Sequence, residues 1–160
     1  MNSKIRLRKF SLQDLDRIMW IEKSSFPKDA YSEEKFKYLF KKYPSGFIVA
    51  QTPKDVAGYI IAYKFRNTAE FDSLAIDKKY RKLGMGKKLA YFMLRKFNKV
   101  GLKKALLEVR TTNKNAISFY EKMGFKIKKT LKDFYGKKEN GYLMEKRLSR
   151  EKSSSGAFSL

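Results

Sequence analysis

The chain has 160 residues, 38 of them Lys or Arg against 16 Asp or Glu, for a formal charge of +22. It contains no cysteine and no histidine. That excludes disulfides, a thiolate nucleophile, an acyl-cysteine intermediate and Cys/His metal sites, and leaves a carboxylate, a tyrosine or a water chain as general base.

Hydrophobic residues make up 42%, with thirteen Phe and ten Tyr, which suits one domain with a substantial core rather than a disordered basic tail. No apolar run approaches the length of a membrane span, and no signal-type hydrophobic stretch opens the chain, so a cytoplasmic location is expected. The positive charge has two readings. It favours a polyanionic neighbour such as nucleic acid, the ribosome or an anionic cofactor, and it is equally the habit of a lysine-rich proteome.

In chain order, Lys4-Ile5-Arg6-Leu7-Arg8 alternates as a half-buried strand does. Ser11 with Asp14 can cap a helix, and Leu15, Ile18, Met19 and Glu22 follow at helical spacing, with Trp20, Ile21 and Phe26 broadening that face. Phe26-Pro27-Lys28-Asp29-Ala30-Tyr31 is a loop, because proline ends the pattern. A second helix starts at Ser32-Glu33-Glu34, turns Phe36, Leu39 and Phe40 inward, and stops near Pro44-Ser45-Gly46. Residues 47–51 and 56–65 read as a hairpin, and 70–76 as the next strand. A helix is expected over 84–100, a strand over 104–111 and a short helix over 115–123. The last strands, 125–134 and 142–148, are joined by a loop over 135–141. The domain is expected to span 1–148, with 149–160 as a flexible tail.

The stretch from Phe71 to Phe97 organises the rest. An apolar strand end, Leu74-Ala75-Ile76, breaks at Asp77-Lys78-Lys79, passes through Arg81-Lys82-Leu83-Gly84-Met85-Gly86, and enters an amphipathic helix carrying Leu89, Phe92, Met93 and Phe97. Two glycines followed by a helix start, with Lys87 beside them, offer backbone N–H groups to an anion such as a diphosphate. It is not a Walker A loop, since Lys88 stands where Ser or Thr is needed, nor a dinucleotide fingerprint, whose third glycine is replaced by Leu89. By itself the turn reads equally well as an ordinary strand-to-helix connection with solvated lysines.

A second stretch, LLEVRTTNKNAISFYEKMGF over 106–125, adds to it. Together the two resemble the GCN5-related N-acetyltransferases (GNAT), whose acetyl-CoA signature is R/Q-x-x-G-x-G/A after the fourth strand. Arg81, Gly84 and Gly86 hold its fixed positions, and Leu107-Glu108-Val109, Asn113, Ala116, Tyr120 and Gly124-Phe125 look like the family's next strand and helix. More narrowly, the pattern is similar to the ribosomal-protein alanine acetyltransferases and the archaeal protein N-terminal acetyltransferases.

The resemblance implies an α/β (α+β) fold: one twisted, mostly antiparallel sheet of six or seven strands, about four flanking helices, and splayed central strands. It implies acetyl-CoA as donor, held by Leu74, Ala75, Ile76, the turn Arg81, Lys82, Leu83, Gly84, Met85, Gly86 and Lys87, and by Asn113 and Tyr120. It implies that peptide or protein N-termini are acceptors, walled by Phe26, Pro27, Tyr31, Phe134 and Tyr135, with ribosome association through the basic surface as a further expectation. No metal is expected.

Glu108 lies in an otherwise apolar run and reads from the residues alone as a solvent-facing strand position; the resemblance instead makes it the general base. Glu70, on the preceding strand, is a second candidate. Tyr120 reads either as a core aromatic or, by resemblance, as the donor of a proton to the departing thiolate. Asn113 reads either as a helix cap or as a contact to the cofactor arm. Two alternatives stand beside the N-terminal reading: a polyamine or lysine acetyltransferase, and a basic RNA-binding module without catalysis.

Overall fold

The structure, a computed structural model, describes residues 4–149. The expected tail therefore lies, apart from Ser149, outside the described residues. The elements are β1 (Arg6–Lys9), α1 (Leu15–Ser25), α2 (Glu33–Lys42), β2 (Phe47–Gln51), β3 (Val56–Phe65), β4 (Thr68–Ile76), α3 (Met85–Lys99), β5 (Lys104–Arg110), α4 (Lys114–Lys122), β6 (Lys126–Gly136) and β7 (Glu139–Arg147). They form one seven-stranded sheet in the order β1-β2-β3-β4-β5-β7-β6. Among the described residues only the β4–β5 pair is parallel; the other neighbours are antiparallel. This is the sheet that the resemblance implies.

Strand alternation sends side chains to two cores, one on each face. On one face Leu89, Met93 and Phe97 of α3 and Ile117 of α4 pack on Ile48, Ile60, Phe71 and Leu107. On the other, Ile18 and Ile21 of α1 and Phe36 and Leu39 of α2 pack on Phe47, Val49, Tyr59 and Ile61. Phe36 is fully buried there, and Phe36→Ala would cost about 3–5 kcal/mol. Trp20, expected to widen the inner face of α1, is instead 53% exposed, with Arg17 over its ring.

Two irregularities shape the centre of the sheet. β3 pairs Ile61 with Ser73 but Ala62 with Phe71, so Asp72 is an extra, bulged residue. The bulge resets the alternation. Ala69 and Phe71 face α3, whereas Ser73 and Ala75, on the far side of it, face α1. The β4–β5 ladder, for its part, pairs only Ala69 with Ala105 and Glu70 with Leu106, after which the strands part. The expected splay is present.

The expected loop over 135–141 is corrected. β6 and β7 continue to Gly136 and Glu139, leaving only Lys137-Lys138 as the turn. Polar Lys-Lys-Glu-Asn-Gly reads as loop by composition. Gly136 at φ 140 and Lys138 at φ 62 nevertheless close a tight hairpin. Asp133 Oδ1 accepts the Lys138 N–H at 2.7 Å, and Asn140 Oδ1 the Asp133 N–H at 2.9 Å. Tyr135 is thus fixed on a strand.

Candidate active site

Where β4 and β5 part, a cavity of about 150 Å³ passes through the sheet. From the α3/α4 face it is lined by Leu107, Val109, Asn113, Ala116 and Tyr120. From the α1/α2 face it is lined by Glu22, Phe26, Asp29, Tyr31, Glu108 and Tyr135. A gap in a sheet is what allows groups from opposite faces to meet.

Glu108 projects from β5 between buried Leu107 and Val109, toward the α1/α2 face. Its carboxylate is open to the cleft and makes no ion pair among the described residues. Partial enclosure by protein, and after it the charges of Glu70 and Asp72, raise its pKa. Glu70 accepts the Thr68 hydroxyl at 2.7 Å and borders a neighbouring groove with Tyr63, Phe65 and Glu108; it does not line the cavity that holds Tyr120.

Tyr120 is held on α4 by edge contacts to Phe119 and Phe125, with ring centres 5.1 and 5.5 Å away. Among the described residues its hydroxyl has no partner and no buried side-chain polar atom lacks one, so that hydroxyl opens to the cavity. Burial raises its pKa, keeping it protonated at neutral pH. Asn113 caps α4, its Oδ1 accepting the Ala116 N–H at 3.2 Å, and its side chain also borders the cavity.

The glycine turn lies where β4 ends and α3 begins. Gly84 sits in the left-handed region at φ 81, and a Cβ there would meet no protein atom within 4 Å. A Cβ on Gly86 would make ordinary contact with Phe119 at 3.5 Å. Among the described residues no side chain caps α3, so its first N–H groups are left without a side-chain cap. The platform beneath is fixed by Arg17, which donates to the Val56 carbonyl at 2.9 Å and to buried Asp77, itself capping the 78–80 turn. Arg81 Nε donates to the Ile76 carbonyl at 2.9 Å and Nη2 to Ser25 Oγ at 3.2 Å, which staples the turn to the strand end. Lys82, Leu83 and Lys87 are exposed around it, and Met85 is buried beneath.

Phe26, Tyr31 and Tyr135 reach the cavity, as does Leu74. Pro27 and Phe134 do not line it: Pro27 is exposed and Phe134 is 51% exposed, edge-on to Tyr135. Ala75 is buried in the α1/α2 core, and Ile76 packs at the other face near Gly86.

The sequence reading missed several groups. Glu22 of α1 is 1% exposed, accepting the Tyr31 N–H and the Ser73 hydroxyl, each at 3.2 Å. Burial, aided by the charge of Asp72, pushes it up to about 7. A carboxylate on the apolar face of an amphipathic helix was the available signal. Asp72 accepts the Tyr31 hydroxyl, and Arg110 pairs with Asp29; both depend on the bulge or on a long-range contact.

The splayed sheet and the uncapped, glycine-bearing helix start are the features that the resemblance implies, and Glu108 and Tyr120 line one cavity at the splay. The sequence model described as "Acetyltransferase (GNAT) family" matches residues 12–125, and the chain belongs to that family. An N-alpha-acetyltransferase of Sulfurisphaera tokodaii is 33% identical over 152 residues, covering 87% of this chain and 90% of that one. Ard1 from Thermoplasma volcanium superposes with a TM-score of 0.86 at 29% identity, over 91% of this chain and 98% of that one. The PaiA N-acetyltransferase of Thermoplasma acidophilum, solved in complex with coenzyme A, shares the fold at a TM-score of 0.74 and 24% identity, over 90% and 99% of the two chains.

The chain is thus an acetyltransferase, with acetyl-CoA as its donor. The residues present fit that molecule: an uncapped helix start, a left-handed glycine and a second glycine leave room and N–H donors for an anion. Among the described residues no helix is long and apolar enough to cross a membrane.

Proposed function

We propose that this chain acetylates the α-amine of protein N-termini. The observation that carries this reading is the cavity across the splay, narrow and walled on the acceptor side by Phe26, Tyr31 and Tyr135. Such a slot suits a flexible chain end and hinders a lysine on a folded surface. Acetyl-CoA supplies an activated thioester that a neutral amine attacks directly. Glu108 takes the amine proton; an α-amine has a reference pKa of about 8, against about 10.4 for lysine, so the task is modest for a carboxylate with a raised pKa. The Tyr120 hydroxyl supplies the proton that the departing sulfur needs. Asn113 and the 81–87 turn hold the donor, with Arg81 acting chiefly through the turn it staples.

The N-alpha-acetyltransferase name of the Sulfurisphaera relative supports the same acceptor. A second reading, a polyamine acceptor, is favoured by one observation: Glu22, Asp29, Asp72 and Glu108 all line the cavity. The experiment is incubation with labelled acetyl-CoA and free-N-terminus peptides, the same peptides blocked and carrying one lysine, and spermidine. Label on the free N-termini alone is expected. Efficient labelling of spermidine or the blocked peptide, with free N-termini unused, refutes the reading. The basic surface supports a polyanionic neighbour such as the ribosome, which salt-sensitive co-sedimentation would test.

A further inference from the structure

The two walls of the acceptor slot come from distant parts of the chain: the α1–α2 loop, and the β6–β7 hairpin. One side chain touches both. Arg110 is the last residue of β5, paired in register with Gly141, so its backbone is anchored in the sheet. Its Nε and Nη2 donate to Asp29 Oδ2 and Oδ1 at 2.5 and 2.7 Å, a forked pair with the α1–α2 loop. Its Nη1 donates to Glu139 Oε1 at 3.1 Å in the hairpin, and its guanidinium lies 4.7 Å from the centre of the Tyr135 ring. The Arg110 side chain is only 18% exposed. Its hydrogen bonds lower the pKa of both Asp29 and Glu139. The walls also meet through Lys28 and Glu139 at 3.4 Å, but with Lys28 75% exposed that pair holds little.

We infer that Arg110 is a positioning residue that clasps the α1–α2 loop to the β6–β7 hairpin, fixing the width of the acceptor slot and with it the preference for a chain end over a lysine side chain. This rests on the N-terminal reading of the site. Three partners in three directions need a planar fork and a face for the ring. A lysine offers neither, so charge alone at this position does not substitute.

The test compares wild type with Arg110→Lys, Arg110→Met, Asp29→Asn and the Arg110→Met/Asp29→Asn double variant. In each, the KM for a free-N-terminus peptide is expected to rise about tenfold, while the acetyl-CoA dissociation constant stays within twofold. The kcat/KM ratio of that peptide over the blocked lysine peptide should fall at least tenfold. The double variant should lose little more than Arg110→Met alone, because the two residues act as one unit. A second readout needs no acceptor. Asp29→Asn alters only the α1–α2 loop, yet amide hydrogen exchange should quicken at residues 137–140 in the opposite wall.

Unchanged selectivity in Arg110→Met, or purely additive losses, overturns the inference. If wild type shows no preference for N-termini, the reading beneath it fails instead. The exchange experiment then decides alone, and an undisturbed hairpin in Asp29→Asn overturns the clasp.

Discussion

Glu22→Gln isolates the one fully buried carboxylate of the cavity wall. Glu22 accepts the Tyr31 N–H and the Ser73 hydroxyl, so glutamine can keep both contacts, with Oε1 accepting from Tyr31 and Nε2 donating to Ser73 Oγ. The Ser73 hydroxyl can then turn toward Tyr59, 3.3 Å away. What the substitution removes is titration. Burial raises the folded pKa from an ordinary 4.5 to about 7, so between those values the folded state binds more proton than the unfolded chain. Stability from this group is therefore fully present below about pH 4.5 and is lost as pH rises through 7. At 1.36 kcal/mol per pH unit the loss is about 3 kcal/mol. Glutamine has no such loss. Urea melts of both proteins from pH 4.5 to 8.5 should show wild type falling relative to the variant by about 1–2 M in midpoint. Ionisable groups that do not interact with Glu22 cancel in the difference. A difference that does not vary with pH would refute the reasoning, because it would mean that Glu22 titrates at its ordinary value.

Glu108→Gln removes the proton acceptor while keeping its shape, and kcat should fall about ten- to a thousandfold. Raising the pH should recover part of the loss, since more amine is then neutral; a wild-type rate and profile at neutral pH would place the base elsewhere. Glu70 can be weighed in the same profile. Activity left in Glu108→Gln that vanishes in the double variant would belong to Glu70. Tyr120→Phe should also lower kcat, without recovery at high pH, because the missing group is a donor. Gly86→Ala meets Phe119 only at ordinary contact distance, so its thermal stability should hold while acetyl-CoA affinity drops at least tenfold. Gly84→Ala should lose about 1–2 kcal/mol of stability because φ is 81 there, and undiminished affinity in both glycine variants would remove the turn from the donor site.

The glycine turn was legible because its chemistry is local. Gly84, Met85 and Gly86 adjoin in sequence, and the helix that follows declares itself by period. Glu108 and Tyr120 were singled out by resemblance, since alternation alone could not tell a solvent-facing glutamate from one at a splay; both line the cavity. The bulge at Asp72 left no trace in the sequence pattern; it exists because Ile61 pairs with Ser73 and Ala62 with Phe71, a register set by two strands together. Arg110 was quoted within the motif and given no role, because its partners stand 81 and 29 residues away in the chain. Long-range ion pairs of this kind have no period to read.

The placement of charge ties these groups into one design. Although bases outnumber acids by 38 to 16, four carboxylates border one cavity of about 150 Å³, and Glu70 borders the adjoining groove. On the proposed reading, the surface that meets an anion is cationic, and the slot that meets an amine is acidic. Attraction of an ammonium ion aids entry, but the same carboxylates stabilise that ion and oppose the loss of its proton. The burden on the base would be severe if all four were fully charged. Arg110 offsets Asp29, and Glu22 at about 7 is partly neutral near neutral pH. Glu108, made more basic by partial burial and then by its carboxylate neighbours, makes no ion pair among the described residues and, on the proposed reading, takes the amine proton. A slot with every carboxylate neutralised would admit the amine poorly, and one with none neutralised would hold it as an ammonium ion. The pairing seen here lies between the two.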